Sequence, residues 1–330
     1  QILSIIKEKR VDTMLKNEDV IYTVARLYYQ DNLNQAEISN RLELSKSTVS
    51  RLLTKAREDG IVRIQIRTPH DTSLRKLSYK IQETFGIPDV MVVDSPYEDP
   101  TMNLNYALSK AAPYFQSFLR DKDKIGISWG YTLLKMVEEF QHISVPFSSL
   151  HQITGNLDNA DANNFAHEIV RRFANKLDIS VLKTLPCPVM VENSIIVDLL
   201  LHDSKISKVM EQANNIDIAF PNIGTLTTNN CLCLSGYMSP DQIQEMQKKG
   251  SVGCICCRFI DQNGNIVDSS YDSRTISIDL ESLKSARHSF MCAANEDKVP
   301  ALIGCLRAGY INVLAIDCLT AEKLLNAAHK

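Results

Sequence analysis

From about Ser73 to the end of this chain, apolar runs of strand length alternate with longer segments of helical period. "DVMVVD" (89–94) precedes a helical stretch at 102–120, and "KIGISWG" precedes the helical "YTLLKMVEEF". The pattern predicts further strands at 147–153, 179–183, 216–220, 252–260, 265–270 and 311–316. It predicts helices at 161–176, 192–201, 204–213, 239–249, 297–307 and 319–328. Such alternation admits few architectures. The expected one is an α/β fold, a doubly wound and mostly parallel sheet with helices on both faces. "DQNGN" (261–265) carries the turn chemistry of a β-hairpin, so the sheet is not expected to be parallel throughout.

The N-terminal segment follows another rule. In "EDVIYTVARLYYQDN", Ile21, Val24, Ala25 and Tyr28 make one helical stripe. Asn34, with Glu37 three residues on, has the form of a capping box and starts a short second helix that buries Ile38 and Leu42. Ser45 is placed to cap a third, with Val49, Leu52, Leu53 and Ala56 inward. "GIVRIQIRT" then reads as a helix stop and a strand, a small wing. These elements predict a winged helix-turn-helix domain at 1–66, a linker at 67–76, and an α/β effector-binding and oligomerisation domain at 77–330.

The outer face of the third helix carries Ser47, Ser50, Arg51 and Thr54, flanked by Lys46, Thr48 and Lys55, with Gln35 opening the helix before it. Short hydroxyls suit base edges and cations suit phosphates, so these are the candidate contacts to double-stranded operator DNA. Charge agrees. The chain is −3 in total, yet residues 40–67 hold seven Lys/Arg against three Asp/Glu, which leaves −7 elsewhere. The competing reading is a solvated three-helix bundle with no ligand. One departure stands out: helix-turn-helix turns usually place Gly where this chain has Glu43, so the turn must use a conformation that a non-Gly residue tolerates.

Composition narrows the class. The apolar fraction of 44% and charged fraction of 23% are those of a globular protein. No window holds eighteen uncharged apolar residues, so no membrane partner is expected, and the first residues lack the pattern of a signal peptide. A cytoplasmic location follows as an expectation. The nine cysteines are odd in number and lie mostly in or beside apolar runs, which predicts reduced thiols rather than a disulfide framework. On strands, Cys231/Cys233 and Cys254/Cys256 would each share a face, leaving a thiol-responsive or metal-dependent sensor as one alternative. Their spacing is not that of structural zinc.

In open α/β sheets ligands sit beyond the carboxyl ends of strands. Three such junctions are rich in glycine, hydroxyls and amides: "GISWGYT" (126–132), "ITGNLDN" (153–159) and "PNIGTLT" (221–227). Ser128, Gly130, Thr132, Thr154, Gly155, Asn156, Gly224 and Thr225 are the candidate effector residues there, since hydroxyls and free N–H groups at helix starts suit a small anion. Lys298 is either a solvated charge, an anion contact or a Schiff-base lysine of an isomerase-like enzyme. The seven histidines form no recognisable catalytic or metal pattern. No catalytic residue, cofactor or metal is expected.

At this level of detail the chain resembles the SorC family of bacterial sugar-responsive transcriptional regulators. The resemblance rests on "NQAEISNRLELSKSTVSRLL…GIVRIQI" in the head, and on "IGISWGYTL", "KGSVGCICCRFIDQNG" and "LRAGYINVLAIDCLTAEKLL" in the body. It implies a non-enzymatic effector domain with a sugar-phosphate-isomerase-like fold. It also implies a small, phosphorylated sugar-like effector that controls operator affinity, most relatives being repressors, and a homo-oligomer, a tetramer built as a dimer of dimers. By position it assigns effector binding to "ISWGYT", which adds Tyr131, to "TGN", to "NIGT" and to Lys298. Where relatives usually carry an acidic residue that contacts sugar hydroxyls, this chain has Cys254. Where they carry Gly-Gly before the lysine, it has Ala294-Asn295.

Overall fold

Three side chains start the helices of the N-terminal unit in the computed structural model, which describes residues 17–31, 33–62, 72–157 and 166–328. Asn17 accepts the Val20 N–H at the start of α1 (Glu18–Tyr29). Asn34 accepts the Ala36 and Glu37 N–H groups at the start of α2 (Gln35–Leu42), while the Glu37 carboxylate accepts the Asn34 N–H at 2.7 Å, completing the expected capping box. Ser45 accepts the Thr48 N–H at 3.1 Å and opens α3 (Lys46–Glu58). Between α2 and α3 the chain turns at Glu43, which sits in the left-handed region at φ 54°, ψ 36°. The apolar faces meet in one small core of Val20, Ile21, Val24, Ile38, Val49, Leu52, Leu53 and Ala56.

The chain divides at residue 70 into this unit and a second that runs from Asp71 to Lys330. Most of the expected wing strand, and the part of the expected linker at 67–71, lie outside the described residues. Residues 72–76, expected as linker, are already helical in α4 (Thr72–Phe85).

The second unit alternates as the sequence pattern requires. Its first half runs β1 (Asp89–Val93), α5 (Pro100–Gln116), β2 (Lys124–Ile127), α6 (Tyr131–Glu139), β3 (Ser149–Gln152), α7 (Ala166–Leu177), β4 (Val181–Lys183), α8 (Ser194–His202), α9 (Ser204–Ala213) and β5 (Ile218–Phe220). The second half runs β6 (Ile223–Gly224), α10 (Cys231–Leu234), α11 (Pro240–Lys248), β7 (Gly253–Ile255), β8 (Arg258–Ile260), α12 (Ser269–Asp272), α13 (Leu280–Ser285), β9 (His288–Ala293), α14 (Val299–Arg307), β10 (Val313–Asp317) and α15 (Cys318–Ala328). Seven strands pair in the order β1-β10-β9-β5-β2-β3-β4, every pairing parallel. β6, β7 and β8 form a separate antiparallel sheet.

The strand period of two divides the core between the two faces of the sheet. Phe290, Cys292, Val313 and Ala315 belong to one apolar cluster, and their neighbours Met291, Ala293, Leu314 and Ile316 to the other. On the first face Phe115, Phe220 and Phe290 meet, with ring centroids 4.8 Å apart for Phe115–Phe290 and 4.9 Å for Phe220–Phe290.

Two expectations need correction. No strand occupies 265–270: Ile266 makes a single bridge to Ile260, and Asp268 accepts the Tyr271 N–H to start α12. Cys256-Cys257, both left-handed at φ 48° and 65°, turns the chain between β7 and β8, and "DQNGN" turns it back again as expected, the Asp261 N–H donating to the Asn265 carbonyl at 2.9 Å and the Val267 N–H to the Phe259 carbonyl at 3.0 Å. Cys231 and Cys233 lie on the short helix α10, so they share no strand face. The strand β9 went unpredicted because "HSFMCA" contains no β-branched residue and no flanking turn signal.

Candidate functional site

The order of strands reverses between β2 and β5. From β2 the chain proceeds outward to β3 and β4; from β5 it proceeds the other way to β9 and β10. Crevices at such switch points are where open α/β sheets hold ligands. Here the two strand ends are tied together: the Ser128 N–H donates to the Phe220 carbonyl at 3.0 Å, and the Ser128 hydroxyl donates to Asn222 Oδ1 at 2.8 Å.

Above this junction lies a cavity of about 600 Å³, lined by the β2–α6 loop, the segment from Pro221 to Leu232, the β7–β8 hairpin and the end of β9 with the turn after it. Gly130, Tyr131, Thr132, Gly224, Thr225, Cys254 and Lys298 all reach its wall. Gly130 has φ 135°, ψ 161° just before α6, a conformation open essentially only to glycine. It lets the first turn of α6 present its N–H groups with no side-chain cap in the way.

The "TGN" loop does not line this cavity. Thr154 is fully buried and its hydroxyl pairs with that of Ser128 at 2.9 Å. The Gly155 carbonyl accepts the indole N–H of Trp129 at 2.7 Å, and a Cβ at Gly155 would fall 2.5 Å from the Pro188 carbonyl oxygen. Asn156 Nδ2 donates to the Leu185 carbonyl at 2.8 Å. These residues, with Ser128, support the floor of the junction from beneath. Asn222 and Thr227, from the loop at 221–227, line the cavity with Asn229, Asn230, Cys231, Cys257 and Asp297, none of them named from the sequence as an effector residue.

One cation and one carboxylate line the cavity among the described residues, Lys298 and Asp297. The Lys298 side chain is half-buried on the cavity wall, its ammonium donating to the Thr132 hydroxyl at 3.1 Å. No carboxylate lies within ion-pair distance of it among the described residues. Burial therefore pushes its pKa below the usual lysine value, opposed weakly by the nearby Cys292 and Cys231 thiols. Burial pushes the Cys254 and Cys292 thiols up to about 12. All nine cysteines are free, and no group of three or more metal-ligating side chains occurs among the described residues.

On α3 of the head, Lys46, Ser47, Ser50, Arg51 and Thr54 are exposed on one side while Val49, Leu52 and Leu53 pack inward. Thr48 is different. It is 7% exposed and its hydroxyl pairs with Ser45 at 2.8 Å, so it braces the helix start. Lys55 is half-buried and pairs with Asp59 at 2.7 Å; Gln35 is half-buried at the start of α2.

A helix-turn-helix unit followed by an α/β unit with a ligand-sized cavity at its switch point defines a class, the effector-controlled DNA-binding regulators. Comparison with known proteins gives the family. The model for a "Putative sugar-binding domain" matches residues 70–326, and that for sigma-70 region 4 matches residues 23–59. The chain is 33% identical to the deoxyribonucleoside regulator of Bacillus subtilis over 92% of its own length and 96% of the relative's. It is 27% identical to the sorbitol operon regulator of Klebsiella pneumoniae, covering 94% of this chain and 100% of that one. The full-length crystal structure of the Klebsiella SorC regulator aligns with a TM-score of 0.70 at 26% identity, over 93% of this chain and 98% of that one. A transcriptional regulator from Streptococcus pneumoniae aligns with a TM-score of 0.73 at 26% identity, over 79% and 99%. The chain belongs to the SorC family of sugar-binding transcriptional regulators. It is a DNA-binding regulator under the control of a sugar effector, not an enzyme. No helix among its described residues is long and apolar enough to cross a membrane.

Proposed function

We propose that the effector is a sugar phosphate, bound in the switch-point cavity with its phosphate between Lys298 and the first turn of α6. One observation carries this reading. The half-buried Lys298 ammonium on the cavity wall donates to the Thr132 hydroxyl and has no carboxylate within ion-pair distance among the described residues, so a bound anion would supply the counter-charge it lacks. The uncapped N–H groups after Gly130 add a favourable dipole at the same place. Tyr131, Gly224 and Thr225 complete the polar side of the cavity.

In the same reading the head grips double-stranded operator DNA through α3, with Ser50, Arg51 and Thr54 toward base edges and Lys46, Ser47, Gln35 and Lys55 toward phosphates. The protein works in the cytoplasm as a homo-oligomeric repressor, a tetramer made of two dimers. Effector binding lowers operator affinity only through its unequal affinity for two arrangements of the heads, and operator DNA must change effector affinity by the same factor. The names of the relatives, regulators of deoxyribonucleoside and sorbitol genes, support a sugar-derived ligand.

Thermal unfolding against a panel of sugar phosphates and their unphosphorylated parents tests the reading. A phosphorylated ligand at a hundredfold its Kd stabilises the native state by about 2.7 kcal/mol, and Lys298→Ala abolishes the shift. Equal stabilisation by the unphosphorylated parents would remove the phosphate from the proposal.

A further inference from the structure

The helix α8 is apolar nearly all round. Six of the nine residues in "SIIVDLLLH" are aliphatic, a composition that suits a helix covered on every side. Yet Val197 is its only buried residue. Leu200 and Leu201 pack with Val197 on the apolar cluster that Met210 and Ala213 of α9 also join. Ile195 and Leu199 are 66% and 68% exposed. With His202 they stand at i, i+4 and i+7, one stripe along the outer face of the helix. Aliphatic side chains that are adjacent, aligned and this exposed mark a contact surface; scattered ones would not.

The charges around the stripe indicate what covers it. Glu192, exposed just ahead of the cap Asn193, puts a carboxylate beside the start of α8. At the other end stand the His202 imidazole and, past the turn, the exposed Lys205 and Lys208. Asp203 is there too, but its carboxylate is engaged as the cap of α9, accepting the Lys205 and Ile206 N–H groups at 2.9 and 3.1 Å. Nδ1 of His202 is held against the Asp198 carbonyl at 2.6 Å, which leaves Nε2 for an outside partner. Asp198 lies on the flank of the stripe and lines a groove with Lys208, so it belongs to the rim. Negative at its start and positive at its end, this surface complements a copy of itself that lies antiparallel. The helix dipoles favour the same arrangement, which is the one a twofold axis generates.

We propose that α8 is a twofold contact between copies of this chain, with Ile195 seated against Leu199 of the partner subunit and Glu192 beside the partner's His202. In an antiparallel pair the numbers of opposed residues have a constant sum, so the first pairing sets the second. This rests on the homo-oligomer reading above and goes further, to one surface that builds the assembly. The contact is isologous, and every substitution in it therefore acts twice.

Sedimentation velocity of the full chain over a range of concentrations tests this. Leu199→Glu brings two carboxylates to the centre of the contact, while Leu199 is exposed within a single chain, so the fold should tolerate the change. The expected result is half the wild-type mass at concentrations where wild type stays assembled, the Kd of the contact rising about a hundredfold or more. His202→Glu sets a carboxylate against the partner's Glu192 and raises Kd about threefold to tenfold; adding Glu192→Lys to it restores the wild-type value. A merely structural effect on α8 would give no such rescue. A wild-type chain that is monomeric throughout overturns this inference and the homo-oligomer reading together. An assembled wild type whose mass Leu199→Glu leaves unchanged, its fold verified by circular dichroism, overturns the inference alone and gives α8 to another partner. Dissociation by Leu199→Glu without rescue in the doubly charge-reversed variant overturns the antiparallel register.

Discussion

The Lys298 ammonium donates to the Thr132 hydroxyl at 3.1 Å, joining the turn before α14 to the first turn of α6 across 166 residues of sequence. The contact lies on the cavity wall where the proposed anion is placed, and it leaves a half-buried charge without a counter-charge among the described residues. Lys298→Met should therefore unfold no more easily than wild type at neutral pH without ligand, while losing stabilisation by any phosphorylated ligand. The sign of the pH effect follows from the lowered pKa. The folded state holds its proton less tightly than the unfolded chain, so the cost is full below the folded pKa and fades as pH rises toward about 10.5. Thermal melts of both proteins between pH 7 and 10 check this: the advantage of the methionine variant should shrink with rising pH.

His151 predicts an opposite vulnerability, on the acid side. Its ring is 3% exposed on β3, its Nε2 meets the Ser149 hydroxyl at 2.8 Å, and its Nδ1 is buried with no partner. Burial, then the nearby Lys183 and Lys124, lower its pKa from 6.5 to about 4. The folded state resists a proton that the unfolded chain accepts, so the contribution is intact above 6.5 and is lost as pH falls toward 4. At the limit this is worth about 3 kcal/mol. Urea titrations at pH 7, 6, 5 and 4 should show a shallower fall in His151→Asn than in wild type.

Gly130 offers a test of backbone rather than charge. The nearest atom to an added Cβ there is 4.0 Å away, so space is not the obstacle; the φ of 135° is. Gly130→Ala should cost about 1–3 kcal/mol by denaturant titration and weaken phosphate binding, because relaxing φ moves the first turn of α6.

How much of this was legible in advance depends on the reach of each signal. Local chemistry carried well: the Asn34–Glu37 box and the Ser45 cap are decided within a few residues, and they stand where the pattern put them. Site membership did not carry as well, because it is set by which strand ends meet. Thr132 and Thr154 look alike as hydroxyls after a strand, yet one faces the cavity and the other is buried against Ser128. Likewise "CICC" read as one strand, while the approach of β7 and β8 turns its last two cysteines into a left-handed corner. Thr48 lay on the predicted helix but was claimed by its own N-cap.

Glu43 pays a local cost at the turn of the helix-turn-helix. An L residue in the left-handed region loses roughly 1–2 kcal/mol relative to the right-handed one. Its side chain is exposed, so little packing would be lost with it. Glu43→Gly should stabilise the head by up to about 1 kcal/mol, the greater chain entropy of glycine offsetting part of the relief. Hydrogen exchange of the amides in α2 and α3, measured in the full chain, should slow accordingly.

Arg51 decides whether α3 reads sequence or only holds backbone. It is exposed in the second turn of the helix, between Ser50 and the buried Leu52 and Leu53. A guanidinium at such a position can meet guanine O6 and N7 together, a geometry that lysine does not reproduce. Arg51→Ala should weaken operator binding by about 1–3 kcal/mol and relax preference at one base pair. Arg51→Lys should then recover little of the lost selectivity. A phosphate contact would behave otherwise: the loss would be uniform across sequences, the salt dependence would fall by about one ion, and lysine would restore most of the affinity. Binding isotherms on the operator and on singly substituted sites, each at two salt concentrations, separate the two roles.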